Sequence, residues 1–276
     1  MKKKNKTIHI PRGRGTATLQ QALSHHLNIS GRAAKKLLDD RRVLVNGKRI
    51  WIARHQLNGG EQLEVIAEQE TSKKIRILHK DGQLIVADKP AGILTNGPSS
   101  LETTLRTQLK LPTLRAVHRL DRHTSGCLLF TSSETIYKAL VEQFRSRNIL
   151  KIYHAIVHGK WEDRGKQLRA KIDGLDAITS VRLLDGCAMA SHLAVRIETG
   201  RTHQIRKHLA LAGYPVLGDR EHGRQRLEDT RLRMVPRQML HNTVLEFDNP
   251  KDRTRVRVTS PLPGDFKSCL NSFRLT

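Results

Sequence analysis

His118-Arg119-Leu120-Asp121-Arg122-His123-Thr124-Ser125-Gly126-Cys127-Leu128-Leu129-Phe130 is the stretch on which the reading of this chain turns. It sets an arginine and an aspartate two positions apart in a loop between Ala116-Val117 and the apolar strand Leu128 to Phe130. Charged side chains offered by a short loop on a rigid scaffold are where chemistry is usually done. Arg119 and Asp121 are therefore the first candidates for catalysis. Thr124 and Ser125 are expected to shape the loop, because no Ser-His-Asp arrangement can be assigned around them.

Downstream, Thr131 and Glu134 have capping-box spacing ahead of a helix carrying Ile136, Leu140 and Phe144 on one side. Past Asn148, the alternation from Lys151 to Val157 predicts a strand with Tyr153 on the face opposite Ile152 and Ile156. A further strand, Leu193, Val195 and Ile197, runs into Glu198-Thr199-Gly200-Arg201-Thr202-His203-Gln204-Ile205-Arg206, where a helix begins. Ile205, Leu209 and Ala212 mark its buried stripe, and Gly213 supplies a left-handed stop. Upstream, Ile75 to Leu78 and Leu84 to Ala87 flank a Lys80-Asp81-Gly82 turn and lead to Lys89-Pro90-Ala91-Gly92. Ser99 and Glu102 have capping-box spacing before a helix with Leu101, Leu105 and Leu109. Strands and helices that do not alternate regularly predict an α+β fold with a large mixed, mainly antiparallel sheet.

The N-terminal quarter reads differently. Residues 1 to 15 are rich in Lys, Arg and Gly and are expected to form a flexible basic arm. Ala22, Leu23 and Leu27 follow helical spacing, and Ser30 is a natural cap for a second helix that buries Ala34, Leu37 and Leu38. Arg32, Lys35 and Lys36 share its other face, and Arg41, Arg42 and Lys48 flank the strand that turns at Asn46-Gly47. These six cations make a candidate RNA-binding surface; such a stripe can also be an ordinary solvated face. The expected boundaries are an arm over 1–15, a small domain over 16–66, a polar linker over 67–74 and a larger domain over 75–276.

With 50 Lys and Arg against 26 Asp and Glu, the 276-residue chain carries a formal charge of +24, an excess that favours a polyanionic partner. No apolar run approaches the roughly 20 residues of a spanning helix, and no signal peptide opens the chain, so a soluble, cytoplasmic protein without a membrane partner is expected. A monomer is expected as well. Cys127, Cys187 and Cys269 lack any pairing pattern and read as buried small hydrophobes, which argues against disulfides and thiolate metal sites. No metal is expected either, since His203 and His208 stand five apart and splay around a helix. Without a Gly-x-Gly-x-x-Gly turn or a phosphate loop, nucleotide cofactors are unsupported, and no cofactor of any kind is expected.

The His118–Phe130 run resembles the signature of the RluA-like RNA pseudouridine synthases, with Cys127 where a leucine is usual. The Lys89-Pro90-Ala91-Gly92 stretch, the Lys151-x-Tyr153-x-Ala155 strand and the Thr199-to-Arg206 run are similar to further motifs of the same family, in its order. The resemblance implies the family's catalytic fold over 75–276 and isomerisation of uridine to pseudouridine without outside atoms, energy source or metal. It implies Asp121 as the catalytic carboxylate with Arg201 as its charged partner, and Tyr153 as a ring that stacks on the base or removes a proton. It also implies Arg119 as the side chain that fills the place of the turned-out nucleotide, with Ile205 and Leu240 lining the pocket. The two helices and the Arg41-to-Lys48 run of the first domain resemble the αL RNA-binding module first described in a small-subunit ribosomal protein. Large-subunit ribosomal RNA is then the favoured partner. The rival reading is a non-catalytic RNA-binding or ribosome-assembly protein that keeps the fold. Leu240-His241-Asn242 and Thr95-Asn96 depart from the family pattern at the pocket rim.

Overall fold

The computed structural model describes residues 6–11, 17–40, 42–66, 74–223 and 229–276. The chain divides into two units, Met1–Lys73 and Lys74–Thr276. Arg41, most of the expected arm and all but the last residue of the expected linker lie outside the described residues.

In the first unit the elements are β1 (Lys6–His9), α1 (Leu19–Leu27), α2 (Gly31–Asp39), β2 (Val43–Val45), β3 (Lys48–Arg49) and β4 (Gln62–Val65). The strands form one antiparallel sheet in the order β1-β4-β2-β3. Ser30 caps α2 through its hydroxyl, and Asn46 and Gly47 both adopt positive φ in the β2–β3 turn. Leu19, Leu23, Ala34, Leu38, Val43 and Leu63 close a core between helices and sheet. The reading of 1–15 as an arm is corrected over Lys6–His9, which is strand β1 with Ile8 buried. Ile8-His9-Ile10 is too short an alternation to reveal a strand; its pairing with β4 decides it.

The second unit contains β5 (Ile77–Asp81), β6 (Leu84–Lys89), α3 (Leu101–Leu109), β7 (Arg115–Ala116), β8 (Ser125–Thr131), α4 (Glu134–Arg145), β9 (Leu150–His158), β10 (Gly165–Ile172), β11 (Leu175–Gly186), β12 (Ala190–Ile197), α5 (Gln204–Leu211), α6 (Thr230–Arg233), β13 (Leu240–Asp248), β14 (Arg255–Thr259) and α7 (Gly264–Ser272). Eight strands run in the order β10-β11-β12-β9-β13-β8-β6-β5, with β14 on β13 and β7 on β8. Among the described residues only β13 and β8 pair in parallel, so the sheet is mixed and mainly antiparallel. Two caps shift from the expected positions. Ser100, not Ser99, caps α3, and Ser133, not Thr131, caps α4. Ser99 takes a left-handed φ of 53°, which releases the next serine to begin the helix.

The parallel contact positions the signature loop. Gly126, at φ 113°, lies opposite Asn242, whose carbonyl oxygen would be 2.2 Å from any Cβ there. Glycine is required at this crossing because both the dihedral and the space exclude a side chain. The central strand β8 is buried throughout and delivers the Asp121 loop to the middle of the sheet.

Candidate active site

The loop from Val117 to Thr124 is pinned from below. Lys89, fully buried at the end of β6, directs its ammonium to the carbonyl oxygens of Pro90, Asp121, Arg122 and Thr124 at 2.8–3.2 Å. Burial and the nearby Arg237 pull the pKa of Lys89 down to about 7. The Thr95 hydroxyl donates to the Leu120 carbonyl at 3.0 Å and accepts from the Leu120 amide at 3.1 Å. Thr95 thus holds the loop backbone, and it is buried rather than among the residues that line the cleft. Gln238 donates to the Thr124 hydroxyl, and the Ser125 hydroxyl meets His241 Nδ1 at 2.9 Å and Arg237 at 3.2 Å. Both hydroxyls are engaged in holding the loop.

Opposite the loop, β12 ends at Ile197 and a turn leads into α5. Gln204 locks that turn, accepting at Oε1 from Thr199 Oγ1 (2.7 Å) and the Arg201 amide (3.1 Å), and donating to the Ile178 carbonyl. Arg206 therefore projects from the first turn of the helix. Its guanidinium, 5% exposed, donates to Asp219 at 2.5 and 2.8 Å, to Asp121 Oδ2 at 3.2 Å and to Glu221 Oε2 at 3.1 Å. Burial works against its charge, but Asp219 and Asp121 hold its pKa above the usual arginine value. Burial would raise the Asp219 carboxyl, yet the same pairing keeps it below its ordinary range.

This corrects the expected partner of Asp121. The guanidinium that bonds Asp121 belongs to Arg206, five residues beyond the expected Arg201 and inside α5. Arg201 precedes the helix, lines the same cleft, and has a buried Nε without a hydrogen-bond partner. A run holding two arginines does not reveal which one the helix start turns toward the loop.

The cleft between loop and helix has a volume of about 540 Å³, within the usual range of small-ligand pockets. Asp121, Tyr153, Arg201, Arg119, Ile205 and Leu240 all line it. The Asp121 side chain is 21% exposed, so it is reachable from the cleft. Tyr153, Ile205 and Leu240 are buried, whereas Arg119 is exposed at the mouth. Burial, and secondarily the Asp121 charge, push the Tyr153 phenol above its usual pKa, so it stays protonated at neutral pH. Lys151 also reaches the cleft, where burial draws its pKa down to about 8.

Arg32, Lys35, Lys36 and Lys48 are exposed in the first unit, and Arg42 donates from Nε to the Ile66 carbonyl at 3.0 Å. These cations therefore belong to a different unit from the cleft. Sequence reasoning missed Arg206, Asp219, Lys89 and Thr95 as parts of the site. Gly218-Asp219 was the available signal, a turn-forming pair directly after the apolar Val216-Leu217. It also overlooked His203, Glu221 and His222, whose ligand-type atoms lie within 4.8 Å of one another beside Asp121 and could hold a metal.

Residues 83–211, from the start of β6 to the end of α5, match the RNA pseudouridylate synthase family. The ribosomal large subunit pseudouridine synthase D of Pseudomonas aeruginosa is 33% identical over 86% of this chain and 85% of its own length. The ribosomal large subunit pseudouridine synthase C of Escherichia coli K12 is 30% identical over 87% of each chain. Among solved structures, human RNA pseudouridylate synthase domain containing 4 superposes with a TM-score of 0.62 at 22% identity, covering 72% of this chain and 93% of that one. The fold found from the strands upward is shared with that protein, and the chain belongs to the RluA-like family of RNA pseudouridine synthases.

Proposed function

We propose that this protein isomerises uridine to pseudouridine in large-subunit ribosomal RNA, with Asp121 as the acting carboxylate. The observation that carries the proposal is the Asp121–Arg206 pair at 3.2 Å, open to a cleft that also presents a buried tyrosine and an exposed arginine. Breaking the bond between uracil N1 and ribose C1′ builds positive charge on the sugar. A carboxylate fixed beside that carbon stabilises the charge or captures it covalently. The detached base turns within the cleft, C5 bonds to C1′, and the C5 proton leaves while N1 gains one, so the atoms balance without a co-reactant.

Arg206 holds the Asp121 carboxylate in place at the cleft through a charge-assisted hydrogen bond of 3.2 Å. Tyr153 offers a ring face to the base. Arg119, at the cleft mouth, is placed to occupy the gap left by an extruded nucleotide, a step that costs a few kcal/mol in paired RNA. The first unit adds affinity through Arg32, Lys35, Lys36, Arg41, Arg42 and Lys48, consistent with its proposed role as an αL RNA-binding module. The chain acts as a cytoplasmic monomer in this reading, and no helix among the described residues is long and apolar enough to cross a membrane. Mapping pseudouridines in ribosomal RNA from a deletion strain tests the target: one or a few large-subunit positions should revert to uridine. An unchanged large-subunit pattern would refute the assignment.

A further inference from the structure

The Asp121 pocket is bordered by an anionic island in a strongly cationic chain. Asp121, Asp219 and Glu221 share the single Arg206 guanidinium, an excess of two negative charges. Against this island stand two imidazoles. His203 Nδ1 lies 3.0 Å from His222 Nε2 and 3.3 Å from Glu221 Oε1, and His222 Nε2 lies 3.6 Å from the same carboxylate oxygen. Tetrahedral zinc with bonds of about 2.0–2.1 Å to nitrogen and oxygen separates its ligand atoms by about 3.3 Å. The three observed spacings bracket that value.

Apart from the His203–His222 hydrogen bond, which joins two of these atoms and which a metal would replace, the three groups are held in place by bonds made through other atoms. Glu221 uses its other oxygen, Oε2, for Arg206. The Glu221 and His222 amides both donate to Asp219 Oδ1, at 3.0 and 3.1 Å, which fixes their turn. His203 sits at the start of α5 with φ 55° and does not use its side chain to cap the helix. Its remaining ring nitrogen, Nε2, lies 3.8 Å from Asp121 Oδ1.

We propose that His203 Nδ1, His222 Nε2 and Glu221 Oε1 form a binding site for a zinc-class divalent transition metal, and that its occupancy inhibits the enzyme through Asp121. With Nδ1 on the metal, Nε2 carries the proton and is directed at the Asp121 carboxylate. A ring shift that closes this 3.8 Å gap on metal binding gives the carboxylate–histidine–metal arrangement, in which an outer carboxylate orients a metal-bound imidazole. Once that gap closes, Asp121 gains the His203 N–H as a partner beside Arg206, and a dication close by weakens it as a nucleophile. The excess negative charge offsets the cation, and imidazole with carboxylate suits zinc rather than magnesium or calcium. The binding claim stands on geometry alone; only its effect on catalysis rests on the proposed role of Asp121.

The test is calorimetric titration of the full-length, chelator-treated protein with Zn2+ alone, repeated with Co2+ and its visible absorption. One site per chain is expected to weaken by at least about tenfold in His222→Ala and in Glu221→Gln, since even outer-shell changes cost about 10–100-fold. Glu221 is 59% exposed in its side chain, so the second variant reports even if the first folds poorly. Equal binding by wild type and both variants, or no such site in wild type, overturns the proposal. Pseudouridine formation by wild type should fall as Zn2+ is added, while His222→Ala, scored against its own metal-free rate, should resist. Tight zinc binding with an unchanged rate would overturn the inhibitory link. A protein that binds zinc through these residues but modifies no RNA would refute the function and leave the metal site standing.

Discussion

Replacing Arg206 with lysine keeps the charge and removes the planar fork. Arginine reaches three carboxylates from one side chain; a single ammonium cannot span Asp219, Asp121 and Glu221 together. Asp219 is 1% exposed in its side chain and depends on the two bonds from Arg206 for most of its compensation. Hydrogen bonds to charged groups contribute about 1.5–3 kcal/mol each, and a lysine leaves on the order of two of the Arg206 bonds to Asp219, Asp121 and Glu221 unmade. A loss of about 3–5 kcal/mol in the catalytic unit is therefore expected. At roughly 2–4 °C per kcal/mol for a unit of this size, the melting temperature should fall on the order of 10 °C. Misplacing a reacting group by an ångström costs about 100-fold in rate, so kcat should drop by that order below the melting range. Arg201→Lys is the control: it has no carboxylate to lose among the described contacts and should shift the melting temperature by less than about 3 °C. Calorimetric melts and single-turnover pseudouridine assays of both variants decide the matter. An Arg206→Lys protein with wild-type melting and rate, or a larger loss in Arg201→Lys, would refute the assignment of Arg206 as the group that holds Asp121.

Two further outcomes follow from burial in the same unit. Because the Tyr153 phenol stays protonated at neutral pH, Tyr153→Phe should keep its rate within about tenfold, while Tyr153→Leu loses stacking worth about 1–3 kcal/mol; a Phe variant slowed by the 10²–10⁴-fold typical of general acid–base catalysis would show that the hydroxyl moves a proton. Burial holds His118 and His154 neutral, with pKa values lowered to about 3 and about 4. The unfolded chain then binds more protons between about pH 6.5 and those values, so stability is lost as pH falls through that window. After discounting for partial solvent access, the two together should cost about 2 kcal/mol by pH 5. Urea melts at pH 7 and pH 5 measure this, and equal midpoints would contradict it.

Much of the second unit was legible because its signals are local. The apolar runs around Leu84, Leu128 and Val195, the alternation that turns Tyr153 away from Ile156, and Gly213 at the end of α5 each declare themselves within a few residues. The β10–β11 hairpin was overlooked. β10 carries mostly exposed charged and polar side chains, so its apolar periodicity is faint, although β11 alternates buried Ala177, Thr179 and Val181 and Asp173-Gly174 at the tip is a tight-turn pair. Asp121, Tyr153 and Arg119 could be singled out as residues, but their assembly depends on contacts across long stretches of chain. Arg206 lies 85 positions from Asp121, and Lys89 reaches the loop from 32 positions upstream. Nothing in either local sequence distinguishes a lysine that will cradle four carbonyl groups from one that faces solvent. The same holds for His203 and His222, brought together by a turn anchored on Asp219.

The central claim is that a carboxylate at position 121 carries the isomerisation. Its most direct measurement is pseudouridine formed in large-subunit ribosomal RNA from a deletion strain, incubated with purified wild-type protein or with Asp121→Asn, alongside the RNA affinity of each. Wild type should restore the missing modification, and Asp121→Asn should bind the RNA comparably yet form none. Restoration by Asp121→Asn at the wild-type rate would contradict the account.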